Sequence, residues 1–189
     1  MAGPTTLGEA LRALGDRPDR PPPHPVQHGG AGTLLSLPYP TDSGTTWQGI
    51  WIASEGVRFL GPDVPTTELS RSFHLAGVSA SLADRLVTAA RAYLERAESI
   101  DERLTATQIE GRDVPPAKLW RLQREVAALR SGIGRAVVVA AEVAGPSAER
   151  FPGSAAALAA VTREIDRSRT LAESVHQSVS DLILLRNAE

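Results

Sequence analysis

The chain has 189 residues, of which 42% are hydrophobic, and its formal net charge at pH 7 is −2. That length is sufficient for one well-packed core, and the near-neutral charge provides no electrostatic case for nucleic acid or an anionic membrane as partner. The absence of Cys excludes disulfides, thiolate metal sites and cysteine nucleophiles. The first residues lack a signal-peptide pattern and the central apolar run, residues 136–141, is too short to span a bilayer, so we expect a soluble chain.

The N-terminal part begins with a helix signal and continues into a segment rich in helix breakers. Thr6 and Glu9 have the spacing of a capping box, which predicts a short helix over about residues 7–14. The prolines and glycines that follow are Pro18, Pro21, Pro22, Pro23, Pro25, Gly29, Gly30 and Gly32. We predict that residues 1–32 form this helix and an extended or disordered linker, with a proline-rich ligand for a partner domain as the alternative.

Residues 33–80 carry the strand signals and are predicted to form a small α/β unit with about three strands. The apolar residues 33–37 form a strand that is expected to stop at the prolines that follow. Residues 47–53 alternate in the manner of a second strand, and residues 57–60 return as the other arm of a hairpin. A helical turn or two is expected between this hairpin and residue 80, over residues 66–73.

The alternating strand has two distinguishable faces. Trp47 and Trp51 fall on one face, and Ile50 and Ile52 fall on the other. Gly56 lies in the hairpin turn, at a position that favours a positive φ. Because three strands are too few to be stable alone, we expect another layer to cover this sheet. Core packing is the first interpretation of the two Trp residues, and an aromatic platform for a ligand is the alternative.

Residues 81–189 are predicted to form three long antiparallel helices, over 81–110, 116–144 and 154–189. Each helix has a seam of apolar or small residues at steps of three and four, which alternate without a break in the last helix. The first seam is Leu82, Leu86, Ala89, Tyr93, Ala97, Ile100 and Leu104. The second is Leu119, Leu122, Val126, Leu129, Ile133, Ala136, Ala140 and Val143. The third is Leu158, Val161, Ile165, Ser168, Ala172, Val175, Val179 and Leu182.

The ends of these helices carry capping and stop signals. Ser81 and Asp84 have the spacing of a second capping box, at the start of the first long helix. Gly111 is its predicted C-cap, and Gly145, which is followed by a proline, is predicted to end the second helix. Ser154 is the predicted N-cap of the third helix.

The last helix becomes more apolar towards its end. Residues 182–185 are Leu, Ile, Leu and Leu, and neither Gly nor Pro follows Leu185. We expect the helix to continue in the natural protein, with this fragment truncated inside it. One neighbouring helix cannot cover an apolar tip on all sides, so we also expect the tip to self-associate weakly.

No catalytic motif is recognisable, and no residue is assigned as catalytic or cofactor-binding. Glu173 and His176 lie one helical turn apart, as two metal ligands would, although a solvated polar face is the simpler interpretation. Gly132 and Gly134 lack the third glycine of a dinucleotide-binding loop. The metal ligands stay unknown, and an enzyme is not expected.

Two segments resemble the CorA-type magnesium transporters. Residues 118–130, KLWRLQREVAALR, are similar to the paired leucines and basic residues of that family's second long helix. Residues 171–182, LAESVHQSVSDL, are similar to the part of its stalk helix that leads to the first membrane span. The order of elements, a small α/β unit followed by two antiparallel helices and a last helix, also resembles the family's cytosolic part. The resemblance covers residues 82–189.

This resemblance implies an α+β, mostly helical fold and a regulatory or gating role at the cytoplasmic face of the cell membrane. It further implies Mg²⁺ or another divalent cation as the transported ion, and a homo-pentamer associated through the last helix. The family's Gly-Met-Asn motif is absent together with the membrane spans, and its acidic residue for regulatory magnesium aligns near Ala160, so no metal ligand is carried over. The alternative is a stand-alone helical adaptor or oligomerisation module without transport activity.

Overall fold

The computed structural model describes residues 3–41, 44–110 and 115–187 and has the α+β, mostly helical architecture predicted from the sequence. The first half contains α1 (Leu7–Ala13), β1 (Val26–Gly29), β2 (Gly32–Thr41), β3 (Gly44–Ala53) and β4 (Gly56–Leu60). The second half contains α2 (Glu68–Ser72), α3 (Gly77–Glu110), α4 (Pro116–Ala144) and α5 (Ala155–Asn187), with a short 3-10 helix at Ala148–Arg150. The predicted capping box of Thr6 and Glu9 is present at the start of α1.

The four strands form one antiparallel sheet in the order β1-β2-β3-β4. One face packs against the long helices through Leu35, Leu37, Ile50 and Ile52. The opposite face carries Leu34, Trp51, Ala53 and Leu60, and α1 covers it with Ala10 and Leu11. The predicted alternation of β3 is therefore confirmed, and Trp51 is a core residue. Gly56 has φ 137°, as its place in the turn requires.

The predicted linker is wrong for residues 26–29, because they form β1 and pair with β2. The prolines that precede β1 are also held in place. Arg135 of α4 donates hydrogen bonds to the carbonyl oxygens of Pro22 at 3.1 Å and Pro23 at 3.0 Å. A composition rich in breakers excludes helix, but extended backbone of this kind can still add to the edge of a sheet.

β2 was expected to stop before its two prolines, but it continues through both. The N–H of Ser36 donates to the carbonyl oxygen of Pro25 at 2.8 Å, so N–H groups of the same parity in β2 point away from β3. Pro38 and Pro40 have that parity and lie beyond the residues that pair with β1. Their missing N–H groups therefore leave no ladder hydrogen bond unmade.

The three long helices pack together as predicted. α4 has the predicted bounds, and every residue of the three seams is buried except Leu182, which is half-buried. Arg103 of α3 pairs with Glu125 of α4, whereas Tyr93 of α3 lies against Gly132. Residue numbers thus rise along α3 where they fall along the facing part of α4, which confirms an antiparallel arrangement of these two helices.

The predicted capping box of α3 is wrong, because the helix begins at Gly77 and includes both Ser81 and Asp84. The Asp84 carboxylate instead accepts from the backbone N–H of Thr67 at 2.9 Å and from its hydroxyl at 2.6 Å. Thr67 is the N-cap of α2, so Asp84 fixes the start of the preceding helix. The predicted C-cap at Gly111 lies outside the described residues. The division of the chain into separate domains stays a prediction.

Candidate functional site: the terminal helix and its contacts

α5 is the helix that corresponds to the predicted stalk, and its packed face is continuous. Every seam residue from Leu158 to Val179 is buried against α3 and α4. At about 1.5 Å per residue, this face is about 32 Å long. The hydroxyl of Ser154, just before α5, donates to the carbonyl oxygen of Phe151 at 2.6 Å and closes the turn into the helix.

Ser168 is the polar member of this seam and is completely buried. Its Oγ lies 3.0 Å from the carbonyl oxygen of Ala90 on α3 and 3.0 Å from that of Glu164, one turn earlier in α5. The contact with Ala90 crosses between the two helices. It therefore fixes the axial position of α5 against α3, in addition to satisfying a buried hydroxyl.

Tyr93 connects the helices to the sheet. Its hydroxyl donates a hydrogen bond to the carbonyl oxygen of Pro38 in β2, and burial raises its pKa well above the ordinary value. The other side of its ring faces α4, where a Cβ added at Gly132 would lie 3.0 Å from Tyr93 Cε1. The absence of a side chain at Gly132 thus allows α4 to approach the tyrosine closely.

Glu125 of α4 is the centre of an ion-pair network with α3. It accepts from Arg96 Nη2 at 2.9 Å and from Arg103 at 2.7 Å and 3.0 Å. The hydrogen bonds from Arg103 are the principal reason why the pKa of Glu125 is lowered from its ordinary value. Because the Arg103 contact is bidentate, it also fixes the direction of both side chains.

A groove of about 470 Å³ lies on the surface between α4 and α5 and is lined in part by Gly134, Val137 and Arg169. Across it, Arg130 Nη2 lies 3.1 Å from Glu173 Oε1. Glu173 is one of the two residues with metal-ligand spacing, and the structure gives it this arginine as a partner. The other, His176, is half-buried, and its Nδ1 has no hydrogen-bond partner in the part of the chain that the structure describes. The geometry therefore brings a cation to Glu173.

The apolar tip of α5 is covered on one side only. Leu182 and Ile183 are partly buried against the core of the helices. Leu184 and Leu185 are exposed, with 66% and 68% of their surface accessible. The sequence predicted an apolar tip with uncovered faces, and the structure locates those faces at Leu184 and Leu185.

No group of three His, Cys, Asp or Glu residues capable of holding a metal ion occurs within residues 3–41, 44–110 and 115–187. Over the same ranges, no helix combines the length and the hydropathy that crossing a bilayer requires.

Two arginines join the sheet to the helices through contacts that are not predictable from the sequence. Arg135 contacts the proline segment, and its Cζ also lies 5.1 Å from the ring centroid of Trp47. Arg85 is buried, donates to the carbonyl oxygen of Pro62 at 2.7 Å and lies 5.1 Å from the ring centroid of Phe59. A lone arginine in a helical pattern gives no local signal of such contacts, because its partners lie far away in the sequence.

Comparison with solved structures identifies the class of fold. The soluble domain of CorA from Methanocaldococcus jannaschii superimposes with a TM-score of 0.60 and 10% sequence identity, over 86% of this chain and 72% of that one. The fold is therefore that of a CorA-like soluble domain, as the sequence resemblance implied. The structure of the full-length CmaX protein superimposes with a TM-score of 0.67 and 12% identity, over 90% of this chain and 57% of that one. This chain thus spans little more than half the length of CmaX.

No family model matches the sequence, and no curated protein matches it either. The likeness is therefore one of fold, carried by the helices and the sheet.

Proposed function

We propose that the chain is the soluble regulatory or gating domain of a CorA-like divalent-cation transport protein, at the cytoplasmic face of the cell membrane. In this proposal Mg²⁺ is the transported ion, and membrane helices follow α5 in the complete protein. The observation that carries the proposal is the fold, which is shared with the soluble domain of CorA over 86% of the chain.

The packing of α5 supports a mechanical role. Its face is buried over about 32 Å, and Ser168 ties it to α3 through the carbonyl of Ala90. Tyr93 of α3 in turn bonds to Pro38 in the sheet. A displacement of the sheet is therefore transmitted through α3 to α5, and from there to whatever α5 is attached to.

The genomic reading frame beyond Glu189 tests the proposal directly. A transporter requires two apolar segments of about 20 residues soon after this position. The full-length protein, reconstituted in vesicles that contain a Mg²⁺-sensitive dye, should then admit Mg²⁺, whereas the same protein without the second segment should not. A natural stop codon at 189 would instead favour the helical adaptor.

We further propose that the fragment self-associates weakly through the tip of α5, and that the complete protein is a homo-pentamer. Leu184 and Leu185 are exposed there, so replacing them should not disturb the core. In sedimentation velocity at tens of micromolar, the native chain should contain small oligomers that the change Leu184→Glu with Leu185→Glu removes. Val138→Glu, an exposed position in α4, is the control. Purely monomeric native protein would contradict this proposal.

For the metal, we propose that the isolated fragment binds Mg²⁺ weakly or not specifically. Carboxylates must converge to hold Mg²⁺, and the described residues show no such group. Thermal unfolding with and without millimolar Mg²⁺ should give the same midpoint. A rise of many degrees that one carboxylate substitution abolishes would overturn this expectation.

A further inference from the structure

Exposed apolar side chains gather at one end of the three-helix bundle. The exposed large hydrophobic residues in the described part of the chain are Phe73, Ile109, Trp120, Val138, Leu184 and Leu185. Ile109 near the end of α3 is 83% exposed, and Trp120 near the start of α4 is 53% exposed. With Leu184 and Leu185 of α5, each of the three long helices has an exposed apolar residue in this group.

Contacts between the helices place these residues at the same height. α3 and α5 are in register at Ala90 and Ser168, so Leu184, 16 residues beyond Ser168, is level with position 106 of α3. α4 and α5 are in register at Arg130 and Glu173, so position 120 of α4, ten residues before Arg130, is level with position 183 of α5. All four exposed residues therefore fall within about one helical turn.

The start of α4 also concentrates positive charge. Residues 116–124 contain Lys118, Arg121 and Arg124 and no Asp or Glu, and Arg121 and Arg124 are exposed. Trp120 lies between the first two of these cations. The net charge of −2 for the whole chain conceals this local excess. Tryptophan with Lys and Arg beside it is typical of the interface between lipid headgroups and acyl chains.

We propose that this end of the bundle, formed by Ile109, Trp120 and the cations of α4, docks onto the surface of a bilayer that contains anionic phospholipid. The inference rests on the proposed function, which places the bundle beside a membrane. The positions of Ile109 and Trp120 favour a bilayer over a second copy of the chain. Helix-to-helix association needs an apolar stripe along one helix, whereas Ile109 and Trp120 each supply one exposed apolar side chain at this end from a different helix.

The apolar part of the surface is tested with the double change Ile109→Gln and Trp120→Gln. The full 189-residue chain is sedimented with vesicles of phosphatidylcholine and phosphatidylglycerol at about three to one. The native chain should bind, and the affinity of the variant for the vesicles should be lower by a factor of about ten or more. The matched control, Phe73→Gln with Val138→Gln, removes two exposed apolar residues elsewhere and should bind as the native chain does.

The charged part is tested with Arg121→Glu and Arg124→Glu. Because attraction to anionic lipid falls off within a Debye length, this variant should lose the preference for mixed vesicles over phosphatidylcholine alone. Arg163→Glu with Arg167→Glu, at exposed positions near the start of α5, changes the net charge equally and should retain the preference.

Absence of vesicle binding, or equal losses in variants and controls with unchanged helix content, would overturn the inference. The same holds if sedimentation without vesicles shows that Ile109→Gln with Trp120→Gln dissociates oligomers, since the end would then be a contact between copies. The two proposals fail separately. A reading frame without membrane segments would overturn the transport function and leave a vesicle result standing, whereas lack of vesicle binding would leave transport intact.

Discussion

Tyr93 donates its phenolic hydrogen bond to the carbonyl of Pro38, at a point where β2 has passed the residues that pair with β1. The carbonyl of a strand residue points the same way as its N–H would, so this carbonyl faces the edge that β1 leaves uncovered. A side chain of α3 thereby supplies the donor that a further strand would otherwise supply.

We expect Tyr93→Phe to lower the free energy of unfolding by about 1–3 kcal/mol, because it leaves a buried carbonyl without a donor. Urea unfolding monitored by circular dichroism measures the change. Tyr39→Phe, at a half-buried position in the same strand as Pro38, is the control and should cost less. Equal effects of the two changes would show that the Tyr93 hydroxyl contributes nothing specific.

Gly132 and Gly134 are predicted to respond oppositely to alanine. A Cβ at Gly134 would have no atom within 4 Å, so Gly134→Ala should stabilise the helix by about 0.5–1 kcal/mol. A Cβ at Gly132 would lie 3.0 Å from Tyr93 Cε1, and the bond to Pro38 prevents that ring from moving away. Gly132→Ala should therefore destabilise the protein, as thermal unfolding of the two variants would show. Stabilisation by both would refute the close approach.

The Glu125 network predicts a loss of stability in acid. The pKa of Glu125 is lowered in the folded protein, mainly by Arg103, from an ordinary value of 4.5. A carboxyl with a lowered pKa contributes stability above its unfolded pKa and loses it as the pH falls through its folded pKa. The fall in unfolding free energy from neutral pH to below pH 4 should be smaller in Glu125→Gln, by no more than about 1 kcal/mol, because the pair is partly exposed.

Arg103→Gln provides the matched test of this pH dependence. It removes the principal cause of the lowered pKa and leaves Glu125 titratable, so its pH profile should approach that of Glu125→Gln. A profile identical to that of the native chain would mean that Arg96 alone is sufficient.

Substitutions at Asp84 and Ser81 distinguish the observed start of α3 from the predicted one. Asp84→Ala should cost about 2–3 kcal/mol, because it leaves the N–H and hydroxyl of Thr67 without their buried acceptor. Ser81→Ala should be neutral or slightly stabilising, since Ser81 lies inside α3 and alanine has the higher helix propensity. Chemical unfolding of both variants checks this, and a cost of about 1 kcal/mol at Ser81 would restore the capping role.

The long helices could be predicted because their signals are local. α4 begins at Pro116 and ends before Gly145, and both residues act within one turn of themselves. The misassigned cap shows the limit of such signals. Asp84 has the spacing of a capping residue relative to Ser81, but its partner is Thr67, 17 residues earlier, and only the folded chain brings the two together.

The same limit applies to the sheet and to the candidate site. β1 has four residues, of which only Val26 is a strong strand former, so the pairing with β2 decides its conformation. In the sequence, Glu125 is one charged residue among many on a helix, and nothing local indicates an ion pair. Its partners Arg103 and Arg96 lie 22 and 29 residues away in the sequence. Ile109 and Trp120 likewise lie at the same height only because of the register of the three helices.

The interhelical hydrogen bond of Ser168 affects two movements of the long helices differently. A slide of α5 by one turn, about 5.4 Å, would break the hydrogen bond from Ser168 to the carbonyl of Ala90 and leave only the hydrogen bond to Glu164 within α5. A tilt of α3, α4 and α5 as one unit breaks no such bond. The interhelical hydrogen bond of Ser168 therefore opposes an axial slide of α5, whereas it does not oppose a tilt of the three helices together.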